Sequence, residues 1–177
     1  EVGKGGKLVL LFSNGTITTL QSETKMKIGV FEQIPFKAGD EKVADLDGEP
    51  SESKLELDLE WGSLVVKTKK LDKKSTFDIN SPLGTAGIRG TEFQLSQNPG
   101  AGIQLDVTES TVAFTPPGGA PMPITQGNGL DVSSAGVSTP RPVNPAIAQN
   151  ISATNQSATQ VTNDIPLGSV SEAMTEA

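Results

Sequence analysis

Leu55-Glu56-Leu57-Asp58-Leu59-Glu60-Trp61 alternates apolar and acidic side chains without a break. A pleated strand sends successive side chains to opposite faces. Leu55, Leu57, Leu59 and Trp61 therefore face one way and the three carboxylates the other, the pattern of a half-buried strand. Gly62 is expected to turn it, and residues 63–69 read as the next strand. Upstream, residues 7–12 run into Ser13-Asn14-Gly15-Thr16, a hairpin signal because Asn and Gly both tolerate positive φ. Residues 17–20 and 25–31 continue as short strands. Downstream, strands are predicted at 75–80, 90–95, 103–107 and 112–114, and residues 124–132 add one or two more around Gly127 and Gly129. Strands recurring roughly every 8–12 residues between turn signals indicate a sandwich, a barrel or a solenoid.

Composition agrees. The 177 residues include 19 glycines and 12 prolines, with only 4% aromatics, as suits a turn-rich all-β chain. There is no cysteine, histidine or tyrosine. A zinc site of Cys/His type, a Cys–His or Ser–His nucleophile pair and a disulfide framework are thereby excluded. The longest apolar run is five residues, Leu8-Val9-Leu10-Leu11-Phe12. A membrane helix needs about 20, so no transmembrane segment is expected. No signal peptide is visible, and a chain opening at Glu1 fits a processed or trimmed protein.

The net charge of -7 and pI of 4.6 argue against a nucleic-acid partner. All twelve lysines fall in residues 1–74, beside thirteen acids; the remainder holds two arginines against eight acids. The lysines are mixed with acids, which reads as a solvated strand surface.

Residues 37–53 are polar and acidic and read as a loop insertion. Asp45-Leu46-Asp47-Gly48-Glu49 begins like a calcium loop, with Glu56 at the twelfth position. The glycine required at the sixth is Pro50, which excludes an EF-hand. Glu56, Asp58 and Glu60 stand about 6.6–6.8 Å apart, near glycosidase carboxyl spacing. They alternate with core residues and read as a wet face. Asn14, Asn150 and Asn155 each open a glycosylation sequon; in a bacterial protein these are chance matches.

The last phenylalanine is Phe114, and the aromatic core is expected to end there. Residues 133–177 carry four charges and are rich in Ser, Thr, Ala, Asn and Gln, the composition of a disordered tail or linker. A second reading is open. Asn144-Pro145 suits an N-cap and first helical position. Ile147, Ile151, Thr154, Ala158, Val161 and Ile165 form a weak apolar stripe on a helix at 145–164. Such a helix is marginal alone and needs a surface.

One segment is specific. Ser81-Pro82-Leu83-Gly84-Thr85-Ala86-Gly87-Ile88-Arg89-Gly90-Thr91-Glu92-Phe93 resembles the signature of the FecR domain family. The turn at Asn14-Gly15, the strand at Gly62-Ser63-Leu64-Val65-Val66, the pair at 103–114 and the turn at Gln126-Gly127 resemble the family's frame over residues 8–130. Ser110-Thr111 replaces a family glycine, the usual upstream strand is missing or abbreviated, and residues 37–53 look inserted. The glycines at 84, 87 and 90 allow tight corners and close backbone approach. Phe93 then enters a core strand. The Arg89 guanidinium is expected to bind backbone carbonyls or a carboxylate such as Glu92 or Glu109. Pro82, Gly84, Gly87, Arg89, Gly90, Thr91 and Phe93 are thus structural signature residues.

The resemblance implies an extracytoplasmic, periplasmic or surface-exposed domain of short strands wound like a β-solenoid. A β-sandwich is the alternative. The expected organisation is a β domain over 1–132 and a helical or extended tail over 133–177. No enzyme activity, catalytic residue, cofactor or metal is expected. The work is contact with proteins: a self-assembling subunit using strand edges and the stripe Ile147, Ile151, Ala158, Val161 and Ile165 on copies of itself, or, as the family implies, a regulatory domain binding a partner protein.

Overall fold

The computed structural model describes residues 1–172, so the last five residues of the expected tail lie outside it. Thirteen strands, one 3₁₀ turn and two helices occur among them. The strands are β1 (Leu8–Leu11), β2 (Ile17–Leu20), β3 (Lys25–Gln33), β4 (Ser53–Lys67), β5 (Thr76–Ser81), β6 (Gly84–Ile88) and β7 (Glu92–Asn98). They continue as β8 (Gly102–Glu109), β9 (Thr111–Thr115), β10 (Met122–Thr125), β11 (Asn128–Ser133), β12 (Gly136–Val137) and β13 (Arg141–Pro142). The helices are α1 (Pro145–Thr162) and α2 (Leu167–Glu172).

The heptapeptide that opens the reading lies in β4, the spine of the molecule. Leu55, Leu57 and Leu59 are at most 1% exposed, and each such burial contributes roughly 1.5–3 kcal/mol. Glu56, Asp58 and Glu60 take the outer face as expected. Trp61 is only half-buried, and Lys25 Nζ sits 4.9 Å from its ring centroid. Gly62 does not end the strand. It bends it at φ 100° against Thr24, whose backbone leaves no room for a side chain. The two expected strands are therefore one of 15 residues.

The bend lets β4 serve both halves of the sheet. Before Gly62 it pairs with β3 and β5; after it, with β2 and β7. The order β10-β9-β6-β5-β4-β7-β8-β11-β12 then curls into a half-barrel, and side chains from both halves share one core. Phe77 and Ile79 from one half meet Phe93, Leu95 and Leu105 from the other. The all-β reading holds. The pairings do not confirm a solenoid: stacked coils set equivalent strands in parallel, whereas among named strands only β4–β5 is parallel. Residues 84–88, expected as corners, form strand β6.

The predicted C-terminal helix is present. The Asn144 side chain accepts from the Ala146 N–H at 2.9 Å, with Pro145 opening the helix. α1 lies on the outer face of β2, β4, β7 and β8. The sheet also runs past residue 132, since β12 and β13 both pair with β11.

Candidate interaction surfaces

The signature segment is the crossover between the two halves. β5 and β6 form a tight hairpin through Pro82-Leu83, both outside the pairing, and the Ser81 hydroxyl donates to the Gly84 carbonyl at 2.6 Å. Gly84 has φ 146°, and a side chain there would lie 2.5 Å from Phe114 Cζ and 2.7 Å from the Thr115 carbonyl. Gly90 has φ 89° and lies against the Lys70 backbone. Thr91 is buried and accepts the Thr68 N–H at 3.1 Å through its carbonyl; Phe93 is 0% exposed in the core. Gly84 and Gly90 thus make the corners. Gly87 does not: it is mid-strand in β6, between Asp78 and Ala113 on neighbouring strands.

Arg89 is exposed, and its Nη1 donates to the Lys73 carbonyl at 3.2 Å. Of the two expected partner types, the backbone carbonyl is found. Glu92 pairs instead with Lys67 at 2.9 Å and accepts from Asn155 at 3.2 Å. Arg89 forms one end of a shallow trough of about 380 Å³ on the outer face, lined also by Thr76, Asp78, Gly87, Thr111 and Ala113. Desolvation by partial burial, reinforced by the Glu56 carboxylate alongside, pushes the Asp78 carboxyl above its ordinary value.

The carboxylates of this face are tied to cross-strand donors. Glu56 stands opposite Asp78 in register but pairs with Lys54 at 3.0 Å. Asp58 accepts from Asn80 at 3.1 Å, and Thr85 donates to Asn80 at 3.0 Å. Glu60 pairs with Lys25 at 2.8 Å. Each acid has its own local partner, and no nucleophile is held against a base. No group of three or more acidic side chains among the described residues could hold a metal ion. The calcium-like stretch is dispersed: Asp45 and Asp47 are exposed, while Glu49 turns inward to the Ser53 and Ser75 hydroxyls and the Asp72 N–H.

The tail stripe is divided. Ile151 and Ala158 are at most 1% exposed against the sheet, with Thr154 beside them; Ile147 and Ile165 are half-buried. Val161 is 66% exposed. The buried row runs Ile151, Thr154, Asn155, Ala158, Thr162, a four-residue step at the end where the apolar spacing suggested three. Asn150 also donates to Gln94 at 2.7 Å.

Two contacts were not legible in the sequence. Arg141 in β13 donates to Asp106 of β8 at 2.7 Å and to Asp131 of β11 at 2.7 Å. The insertion is stitched to the tail: the Val43 N–H donates to the Ile165 carbonyl, the Leu167 N–H to the Glu41 carbonyl, and Lys42 pairs with Asp164 at 2.6 Å. A lone arginine in a proline-rich stretch carries no periodic signal. Partners 122 positions apart, as Lys42 and Asp164 are, carry none either.

The family model described as FecR protein matches residues 1–113. No curated protein matches this chain. Two crystal structures of a candidate anti-sigma factor from Parabacteroides distasonis share the fold. One has TM-score 0.62 at 16% identity, covering 88% of this chain and 63% of that one. The other has TM-score 0.61 at 15% identity, covering 86% and 61%. At such identity the likeness is one of fold, and this chain spans less than two thirds of those chains.

Proposed function

The chain belongs to the FecR family, and from that premise we propose that it is a non-catalytic regulatory domain of a signal-transduction system, working outside the cytoplasm by binding a partner protein. The observation that carries this reading is the family match over residues 1–113. The curled sheet shared with a candidate anti-sigma factor supports it. The chemistry is compatible: the chain lacks histidine, cysteine and tyrosine, and its outer carboxylates are tied to lysines and amides rather than poised as an acid–base pair. No helix among the described residues is long and apolar enough to cross a membrane.

Assembly through the tail stripe has weaker support, because Ile151 and Ala158 already face the chain's own sheet. Deleting residues 1–172 from the protein in its own host tests the regulatory reading. Transcript sequencing is expected to register a discrete set of altered genes, restored on complementation. An unchanged transcriptome, under conditions in which the protein is made, overturns it.

A further inference from the structure

A curled sheet that does not close leaves edges, and proteins guard edges with prolines, bulges and lysines. Three edges of this sheet carry such devices. β10 contains Pro123 and follows Pro121; β13 contains Pro142 and follows Pro140. β3 has two register breaks, at Lys25/Met26 and Ile28/Val30, and carries Lys25 and Lys27. β1 has none. Leu8-Val9-Leu10-Leu11 pairs with β2 in unbroken register, contains no charge and no proline, and has no strand on its other side.

The direction of its free groups follows from the ladder. Hydrogen-bonded and non-hydrogen-bonded pairs alternate along antiparallel strands. The Phe12 N–H donates to the Thr16 carbonyl, so Leu10 and Leu8 bond to β2, while the N–H and C=O of Val9 and Leu11 face away. Apolar surface gathers on the same side. Of the four large hydrophobic residues counted as exposed, Leu8 (41%) lies in β1, Ile28 (50%) in β3 and Ile34 (53%) just beyond β3. Phe12 and Phe31 join the two edges, ring to ring at 5.2 Å.

We propose that the free edge of β1 is the docking site for an extended segment of a partner protein, added as a further strand with apolar side chains on both faces. This rests on the partner-binding reading above and supplies its surface. Size selects the occupant. The edge is about 14 Å long and covers on the order of a few hundred Å², whereas two rigid bodies in a stable pair bury roughly 1,200–2,000 Å². A second copy meeting β1 edge to edge falls short. A segment that orders as it binds takes its affinity from backbone bonds and short-range apolar contact, and needs no such area.

The test is an NMR titration of residues 1–177 with a synthetic eight-residue peptide of alternating valine and threonine, closed by a glutamate at each end. Shifts confined to β1 and β3, with slowed amide exchange at Val9 and Leu11, are expected. Val9→Pro removes only an outward-facing N–H, so it should keep the fold and weaken the peptide at least tenfold. Val9→Lys should do the same by placing a charge at the edge. No added protection at Val9 and Leu11 at millimolar peptide overturns the proposal, as does unchanged binding by a folded Val9→Pro protein. Protection that rises with protein concentration alone would give the edge to a second copy and also overturn it. None of these outcomes bears on the transcript measurement, which tests the regulatory reading separately.

Discussion

Arg141 Nη1 lies 2.7 Å from Oδ1 of Asp106, a carboxylate only 1% exposed. The same guanidinium reaches Asp131 at 2.7 Å, so one side chain ties β13 to β8 and β11. Gly129 makes this geometry possible, since a side chain there would lie 2.5 Å from both Arg141 Nη1 and Asp106 Oδ1. Replacing Arg141 with Met leaves a buried carboxylate without its cation, and a loss of about 3 kcal/mol is expected in urea denaturation. The hydrogen bond from Arg141 holds the Asp131 carboxyl below its ordinary value. Its contribution is present above the unfolded value, about 3.9, and is lost as pH falls through the folded one. The Met variant should lose less stability than wild type on acidification below about pH 4.

Asp78 has the opposite sign. Burial and the neighbouring Glu56 raise its carboxyl, so the folded chain holds that proton more tightly than the unfolded chain. Its contribution is present below about pH 3.9 and is lost as pH rises through the folded value. Asp78→Asn should therefore be more stable than wild type at pH 7, with the difference vanishing at pH 3. Thermal melts at the two pH values check this.

The signature glycines should separate under substitution. Gly84→Ala meets a left-handed φ and the Phe114 ring, so a loss of about 2–3 kcal/mol is expected. At this chain length that lowers Tm by roughly 4–12 °C. Gly87→Ala has ordinary φ and approaches only the Asp78 carboxylate at 3.2 Å; its Tm should stay within about 2 °C of wild type.

The helix stripe makes a similar contrast. Ile151→Ala should cost about 2–4 kcal/mol and expose α1 to proteolysis ahead of the sheet. Val161→Asp, at a residue 66% exposed, should change stability by less than about 0.5 kcal/mol. Limited proteolysis followed by mass spectrometry distinguishes the two.

Strand positions were legible because alternation reports burial directly: Leu55, Leu57 and Leu59 needed no tertiary information to be assigned to a core. The family signature was legible because Gly84 and Gly90 answer to local backbone demands that no other residue meets cheaply. Gly62 was misread because a glycine with positive φ marks a bend as readily as a turn. β6 was missed because its five residues, Gly84-Thr85-Ala86-Gly87-Ile88, hold two glycines and only Ala86 and Ile88 as core side chains. The tail helix was legible in its cap, Asn144-Pro145, yet its buried face was not. Ser, Thr, Asn and Ala differ too little in hydropathy to fix a rotation, and the choice of Thr162 over Val161 was made by the sheet beneath.

By itself, then, the sequence determined the all-β class, the inward leucines and the glycine corners, since these follow from period and from backbone sterics within a few residues. Only the tertiary structure decided how the sheet curls, where α1 rests, that Arg141 closes β8 onto β11, and that β1 keeps an unguarded edge. Those depend on contacts between residues distant in the chain, where the free energy of pairing belongs to no single segment.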